Sequence, residues 1–243
     1  MKIIKLNAIA STNSFLKELT VNSGTENFTV VVTNNQTNGR GQQDSNWVSE
    51  PNKNLTFSVF VNNLNLNIQD QKHLNFAISL AIYNALIGLE IKDLSIKWPN
   101  DIMAVNRKLC GILIENSLQK NKITSSIIGI GLNVNQTNFP NHIKKVSSLK
   151  LEKALDFNLD SVLEEILKEI KKNITLLIAN EFTILENDYL KNLYNIGKIA
   201  TFRDQNNMLF NGIIVGISKD GLLQIKVEDD IVREFGIKEV SFA

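Results

Sequence analysis

The sequence predicts an α+β fold: a mixed β-sheet with flanking helices, followed by a small β-barrel. Three observations carry that reading. Residues 2–135 are rich in strand-like apolar runs separated by turn residues. Two stretches, 68–89 and 161–179, instead repeat apolar residues at helical spacing. From Lys198 onward the pattern changes to short strands at close, turn-punctuated intervals, as in small barrels. Antiparallel strands beside helices fit a layered α+β protein.

In chain order, residues 2–8 read as a first strand. Ser11 or Thr12 is placed to cap a helix running to about Val21, with Leu16 and Leu19 on its buried face. Residues 28–33 and 55–61 are β-rich. Residues 68–89 carry Leu74, Ala77, Ile78, Ala81, Ile82, Ala85 and Leu86, a broad helical face. Residues 95–98 form a short strand ended by Pro99. Strands at 102–105 and 108–118 flank Asn106-Arg107, read as a hairpin turn, and 123–135 pairs next across 119–122. Residues 161–179 place Val162, Ile166, Ile170, Ile174 and Leu177 on one face, and the intervening Lys and Glu form a solvated one. Residues 182–193 continue helically. Strands at 199–203, 209–217, 222–227 and 231–235 follow, separated by Gln205-Asn206-Asn207, Asp220-Gly221 and Asp229-Asp230. The boundary falls near Asn195, which divides the chain into domains at 1–194 and 195–243.

Composition narrows the function classes. A chain of 243 residues holds one large domain and a small one. It is 43% hydrophobic and 21% charged, ordinary for a globular protein. A net charge of +1 gives no global pull toward nucleic acid or an anionic membrane. The single cysteine excludes an intramolecular disulfide and a multi-cysteine metal site, and the isolated His73 and His142 make no zinc-ligand pattern. The N-terminus is too polar for a signal sequence and no apolar run spans a bilayer, so a cytoplasmic protein is expected.

Four segments carry chemistry. Asn38-Gly39-Arg40-Gly41-Gln42 lies in a long polar connection, and such connections are usually functional or disordered. Two glycines let the backbone approach a ligand while the guanidinium points at a carboxylate or phosphate. Trp47, just beyond, offers a flat ring to stack on a base or close a pocket. Lys97-Trp98-Pro99-Asn100-Asp101 gathers a base, an aromatic, an amide and an acid. Lys108 to Glu115 follows at hairpin distance, and Gly129-Ile130-Gly131-Leu132-Asn133 ends the next strand.

With Ser11-Thr12-Asn13 at the start, these segments resemble, in order, the catalytic domain of biotin protein ligases. That family's pattern is Ser-Thr-Asn, a Gly-Arg-Gly loop, Lys-Trp-Pro-Asn-Asp, Lys-Leu-x-Gly-Ile-Leu-x-Glu and Gly-x-Gly-x-Asn. No single element is specific; all five in the right order are. The resemblance implies a class II synthetase-like catalytic fold and an SH3-like C-terminal barrel. It further implies that biotin is activated with ATP and Mg2+ to biotinyl-5′-AMP. Biotin then passes to a lysine of a biotin carboxyl carrier protein, the enzyme acting as a monomer or homodimer.

The chemistry fits that implication on its own terms. A carboxylic acid does not acylate an amine at neutral pH until it becomes a mixed anhydride. Joining a carboxylate to the α-phosphate of ATP brings two anions together, so the site must supply positive charge and orientation. Arg40, Lys97 and Lys108 are available, and no Ser-His-Asp or Cys-His arrangement is evident. Cys110, flanked by apolar residues, reads as a packed thiol rather than a nucleophile.

The resemblance distributes roles as follows. Ser11, Thr12 and Asn13 match a biotin-contacting segment, and a helix-capping role is compatible with it. Gln36 matches a glutamine facing the ureido group, and Arg40, Gly41 and Gln42 the loop that folds over biotin and the adenylate. Lys108 matches the lysine near the activated carbonyl; Gly111, Gly129 and Gly131 match positions where backbone lines the pocket. Trp47, Asn54, Lys97, Asn100 and Asn133 fall to the nucleotide, and Asp101 to the metal and the incoming amine. Arg40, Lys108 and Asp101 form the catalytic set. Gln42-Gln43-Asp44-Ser45 departs from the fullest pattern, which carries further arginines there. An acid near phosphates raises their electrostatic cost unless it faces solvent or meets a cation.

Three rivals belong to other classes. A lipoate- or octanoate-protein ligase shares the fold, but no Arg-Arg-x-x-Gly-Gly-Gly run is present. A DNA-binding repressor would need a helix-turn-helix before Ser11, and none is expected, so no DNA partner is either. A non-catalytic biotin- or adenylate-binding protein would not need Arg40, Lys97, Asp101 and Lys108 together.

Overall fold

The structure is a computed structural model, and it describes every residue except Ser23 and Asp44. Strand β1 (Ile3–Ile9) leads into helix α1 (Thr12–Asn22), then β2 (Val30–Gln36), two short strands β3 (Gly39–Arg40) and β4 (Asn46–Trp47), and the long β5 (Leu55–Asn67). Helix α2 (Gln71–Gly88) precedes a meander of β6 (Leu94–Lys97), β7 (Asp101–Ala104), β8 (Arg107–Gln119) and β9 (Lys122–Leu132). Helices α3 (Leu149–Lys153), α4 (Leu159–Ile178) and α5 (Phe182–Lys191) follow. The chain ends in β10 (Ile199–Asp204), β11 (Leu209–Ile217), β12 (Leu223–Lys226), β13 (Val232–Phe235) and β14 (Val240–Phe242).

Among the described residues the strands form a seven-stranded sheet, β1-β2-β5-β9-β8-β7-β6, a five-stranded sheet, β13-β12-β11-β10-β14, and the pair β3-β4. The large sheet is mixed: β1 and β2 run parallel and every other pairing in it is antiparallel. Alternation along its central strands gives the two faces different jobs. Phe57, Val59, Ile128, Ile130, Cys110 and Ile112 join the main core with Leu74, Ile78 and Ile82 of α2 and Ile166 and Ile170 of α4. On the opposite face, Phe60 and Ile127 pack with Leu16 of α1 and Val31. Beside that small cluster the residues facing the same way are Ser58, Gly129, Gly131 and Gly111, too small to fill the space above them. The site opens there.

Helix α4 starts where Asn158 accepts a hydrogen bond from Ser161 N, four residues before the first buried residue, Val162. Its buried residues, Val162, Leu163, Ile166, Leu167, Ile170, Ile174 and Leu177, recur every three to four positions and lie against α2. Among the described residues no helix is long and apolar enough to cross a membrane.

Several expectations are corrected. The C-terminal strands make an SH3-like sheet that is open, not a closed barrel. After β13 the chain turns at residues 236–239, and the three-residue β14 pairs with β10. Among the described residues no ladder closes β13 onto β14. The hairpin expected at Asn106-Arg107 turns one residue earlier, with Val105 at φ 57° and Arg107 already in β8. A β-branched residue rarely takes that conformation, so the pattern favours the asparagine instead. The Gly-Arg-Gly connection is not structureless: β3 pairs with β4, Gly39 opposite Trp47 and Arg40 opposite Asn46.

The two sheets are tied directly. Ile96 N donates to Asn192 O at 2.8 Å and Tyr194 N to Ile96 O at 2.9 Å, so the chain leaving α5 runs along β6. Trp98 Nε1 donates to Gly221 O at 3.1 Å. Lys72 of α2 bridges Glu186 of α5 at 3.0 Å and Ser218 O at 3.2 Å. Phe202, Phe210 and Phe235 stack in series within the small sheet, Phe242 tilts against Phe202, and Phe202 and Phe235 continue the main core.

Candidate active site

A cavity of about 350 Å³ lies over the glycine rows of the large sheet. Register builds its floor. Asp101 stands opposite Gly111, Gly111 opposite Gly131, and Gly131 opposite Thr56; one row along, Leu113 stands opposite Gly129 and Gly129 opposite Ser58. Two of these glycines are required by contact. A Cβ on Gly129 would lie 2.4 Å from Asn13 Oδ1, and one on Gly131 2.3 Å from Trp47 Cε2. The trough thus holds an amide at one end and an indole at the other.

The amide end is a buried polar network. Ser11, Thr12 and Asn13 are all buried, and Ser11 also caps α1, accepting from Ser14 N at 3.4 Å. Gln36 Oε1 accepts from Thr12 N at 2.9 Å and Thr12 Oγ1 at 3.2 Å. Ser58 Oγ lies 2.7 Å from Thr12 Oγ1 and 2.5 Å from Asn13 Oδ1. Asn13 Nδ2 donates to Glu115 Oε2 at 2.8 Å. Arg40 reaches the same carboxylate at 3.2 Å and Ser14 Oγ at 3.3 Å. One chain of hydrogen bonds therefore runs from Gln36 to Arg40. Its hinge, Glu115, was not singled out in the sequence, although it closes the Lys108–Glu115 motif.

The opposite end is cationic. Lys97, Lys108 and Asp101 converge from three adjacent strands. Lys108 Nζ sits 2.7 Å from Asp101 Oδ1, an ion pair whose angles are not those of a well-directed hydrogen bond. It also lies 5.8 Å from the centre of the Trp47 ring, and Lys97 Nζ 5.6 Å from that of Phe242. Burial pushes the Lys97 ammonium below the ordinary lysine range; Asp101 pulls it back up, while Lys108 and Lys145 push it down. Asn100 is braced by its own side chain, which donates to Ile112 O at 2.7 Å. Burial drives the Cys110 thiol well above the usual thiol range, and the group is fully enclosed, as its apolar flanks predict.

All the expected site residues line this cavity except two: Ser11, Thr12, Asn13, Gln36, Arg40, Gly41, Gln42, Trp47, Lys97, Asn100, Asp101, Lys108, Gly111, Gly129 and Gly131 are brought together. Asn54 and Asn133 stand behind the wall. Asn54 accepts from Val134 N at 2.9 Å and donates to Gln136 Oε1 at 2.6 Å. Asn133 donates to Ser147 O at 3.0 Å, and its buried Oδ1 has no partner among the described residues. Asp44 lies outside the described residues. A part of the wall came without any signal in the sequence: Phe202, Leu223, Val240, Phe242 and Lys238 reach it from the small sheet.

A sequence model of the biotin/lipoate A/B protein ligase family matches residues 6–133, the stretch that supplies most of this site. The chain belongs to the biotin/lipoate A/B protein ligase family. Among its relatives, the bifunctional ligase/repressor BirA of Bacillus spizizenii is 29% identical over 236 residues, covering 95% of this chain and 71% of that protein. The biotin–[acetyl-CoA-carboxylase] ligase of Mycobacterium tuberculosis is 30% identical over 129 residues, 52% of this chain and 47% of that one. The biotin protein ligase from Aquifex aeolicus, solved in complex with biotin and ATP, superposes with a TM-score of 0.81 at 27% identity, covering 100% of this chain and 98% of that chain.

Proposed function

We propose that this member of the biotin/lipoate A/B protein ligase family is a biotin protein ligase. It joins biotin to ATP as biotinyl-5′-AMP and passes the biotinyl group to a lysine of a biotin carboxyl carrier domain. The observation that carries the reading is the two-ended cavity. A network of buried Thr12, Asn13 and Ser58 with half-buried Gln36 suits a neutral ureido ring. Lys97 and Lys108 at the opposite end, with Arg40 reaching the cavity from the hairpin, suit a carboxylate meeting a phosphate.

In the first step the biotin carboxylate oxygen attacks the α-phosphorus and the bond to pyrophosphate breaks. Lys108 and Arg40 hold the two anions together, which is the main demand of a reaction without a covalent nucleophile. In the second step a lysine amine attacks the acyl carbon and AMP leaves with the bonding pair. Asp101, beside Lys108, is placed to orient that amine. Magnesium would arrive on the phosphates and neutralise their charge. Asp101 is the one carboxylate among the described lining residues, and no cluster of three potential metal ligands exists among the described residues. That matches an ion held by phosphates and a single side chain rather than by a protein cage. Trp47, Lys97 and Asn100 take the nucleotide end. Asn133, with its unpartnered Oδ1, and Asn54 shape that end from behind. Residues 1–194 form the catalytic domain and 195–243 an accessory one.

Purified protein given biotin, MgATP and a carrier domain is expected to release pyrophosphate and biotinylate one lysine. Use of lipoate in preference to biotin would overturn the assignment. Nucleotide binding should also depend on pH through Lys97. Incoming phosphates raise its lowered pKa, so binding takes up a proton between the free and bound values. Affinity for ATP is full below the lowered pKa and falls as pH rises through it, earlier than an ordinary lysine would produce. Calorimetry in buffers of different ionisation enthalpy measures that uptake. Lys97→Ala should abolish it and weaken ATP binding more than biotin binding; unchanged proton uptake in the variant would remove the role.

A further inference from the structure

The site has a fourth cation that the reaction chemistry does not call for. Lys238 sits on the turn between β13 and β14, at the exposed rim of the cavity. The turn is built tightly: Glu239 N donates to Gly236 O at 3.1 Å, and Gly236 N to Glu239 Oε2 at 2.6 Å. Lys238 holds φ at 66°, a left-handed conformation that residues with a Cβ seldom adopt. No carboxylate among the described residues pairs with it. Its ammonium instead donates to the backbone carbonyl of Gln43.

Gln43 lies on the tip of the β3–β4 hairpin, the segment that carries Arg40 and Trp47. It too has a positive φ, 47°, and the tip is drawn in by Gly41 N donating to Ser45 O at 2.5 Å. On the other side the hairpin is held by Arg40, which reaches Glu115 and Ser14, and by Trp47, which lies over Lys108. Among the described residues Lys238 is its hydrogen-bond tether from the C-terminal sheet, and that tether reaches across the cavity mouth. We infer that Lys238 is a positioning residue that latches the Gly39–Trp47 hairpin shut from the C-terminal sheet, so that this sheet controls how long the acyl-adenylate is kept. The inference rests on the ligase reading above for what is kept, and on the Lys238–Gln43 contact alone for the latch.

A mixed anhydride is lost to water if it escapes before the acceptor arrives, so retention is a separate task from formation. A charge-assisted hydrogen bond across the mouth acts on escape, because it must break before the hairpin opens.

The test compares wild type with Lys238→Ala and Lys238→Arg on the full-length protein. Hydrogen exchange without ligand reads the latch: amides of residues 39–47 should exchange faster in Lys238→Ala and at the normal rate in Lys238→Arg. A chase of preformed biotinyl-5′-AMP reads its consequence: escape should accelerate roughly tenfold in Lys238→Ala, far more than single-turnover formation slows, and the arginine should restore it. Unchanged exchange in Lys238→Ala would sink the latch. A looser hairpin with unchanged escape, or a raised ATP KM with unchanged escape, would sink the control of retention. If wild type makes no biotinyl-5′-AMP while the exchange result holds, the ligase reading fails and the latch stands.

Discussion

Lys108→Ala is expected to slow acyl-adenylate formation about a hundredfold or more, with a smaller effect on biotin affinity. Loss of one preorganised donor at a developing charge typically costs that much. The side chain faces the Gly111–Gly131 row, within 2.7 Å of Asp101 and beneath the Trp47 ring, so nothing nearby can take its place. Lys97 belongs to the same cluster but lies two strands away, with its pKa lowered by burial. Single-turnover quench with labelled ATP separates adenylation from transfer. A variant that forms adenylate at close to the normal rate would show that Lys108 only balances Asp101.

Gly129→Ala should be nearly as damaging, by a steric route. The new methyl would stand 2.4 Å from Asn13 Oδ1. Asn13 has little room to yield: it is 3% exposed and held by Ser58 at 2.5 Å and Glu115 at 2.8 Å. Either the strand shifts, costing roughly 1–3 kcal/mol of stability, or the amide leaves the biotin end. A displacement of that size in a positioning group can cost on the order of a hundredfold in kcat/KM. Biotin titration calorimetry and a thermal melt together decide it. Normal biotin affinity with a normal melt would mean that the amide end of the trough is not the biotin end.

The legibility of this protein follows the range of the forces involved. Strands and helices with a long period, such as α2 and α4, write their burial into neighbouring residues, and their place and type were readable. Short elements did not announce themselves. The five-residue α3, capped by Ser148, and the three-residue β14 exist because of what they touch elsewhere. The parallel pairing of β1 with β2 is a tertiary choice with no local trace. In the site, the glycine rows and the lysines were visible as compact motifs, because a flat strand and a nearby charge each need only a few adjacent residues. Glu115 stood in one of those motifs without any sign of its partner 75 residues earlier. Lys238 lies 195 residues from the carbonyl it grips, and no pattern in the chain joins the two.

The run of backbone from Asn192 to Tyr194 along β6 has a consequence for handling the protein. β6 is the last strand of the large sheet, and a free edge is a template for pairing with another chain. Here the connection to the small sheet shields Ile96 and takes up both of its outward backbone groups. A protease cut or an engineered stop just before residue 192 would strip that cover and leave a hydrophobic edge bare. The product would be sticky: it would form intermolecular sheets and precipitate at concentrations where the intact chain stays dispersed.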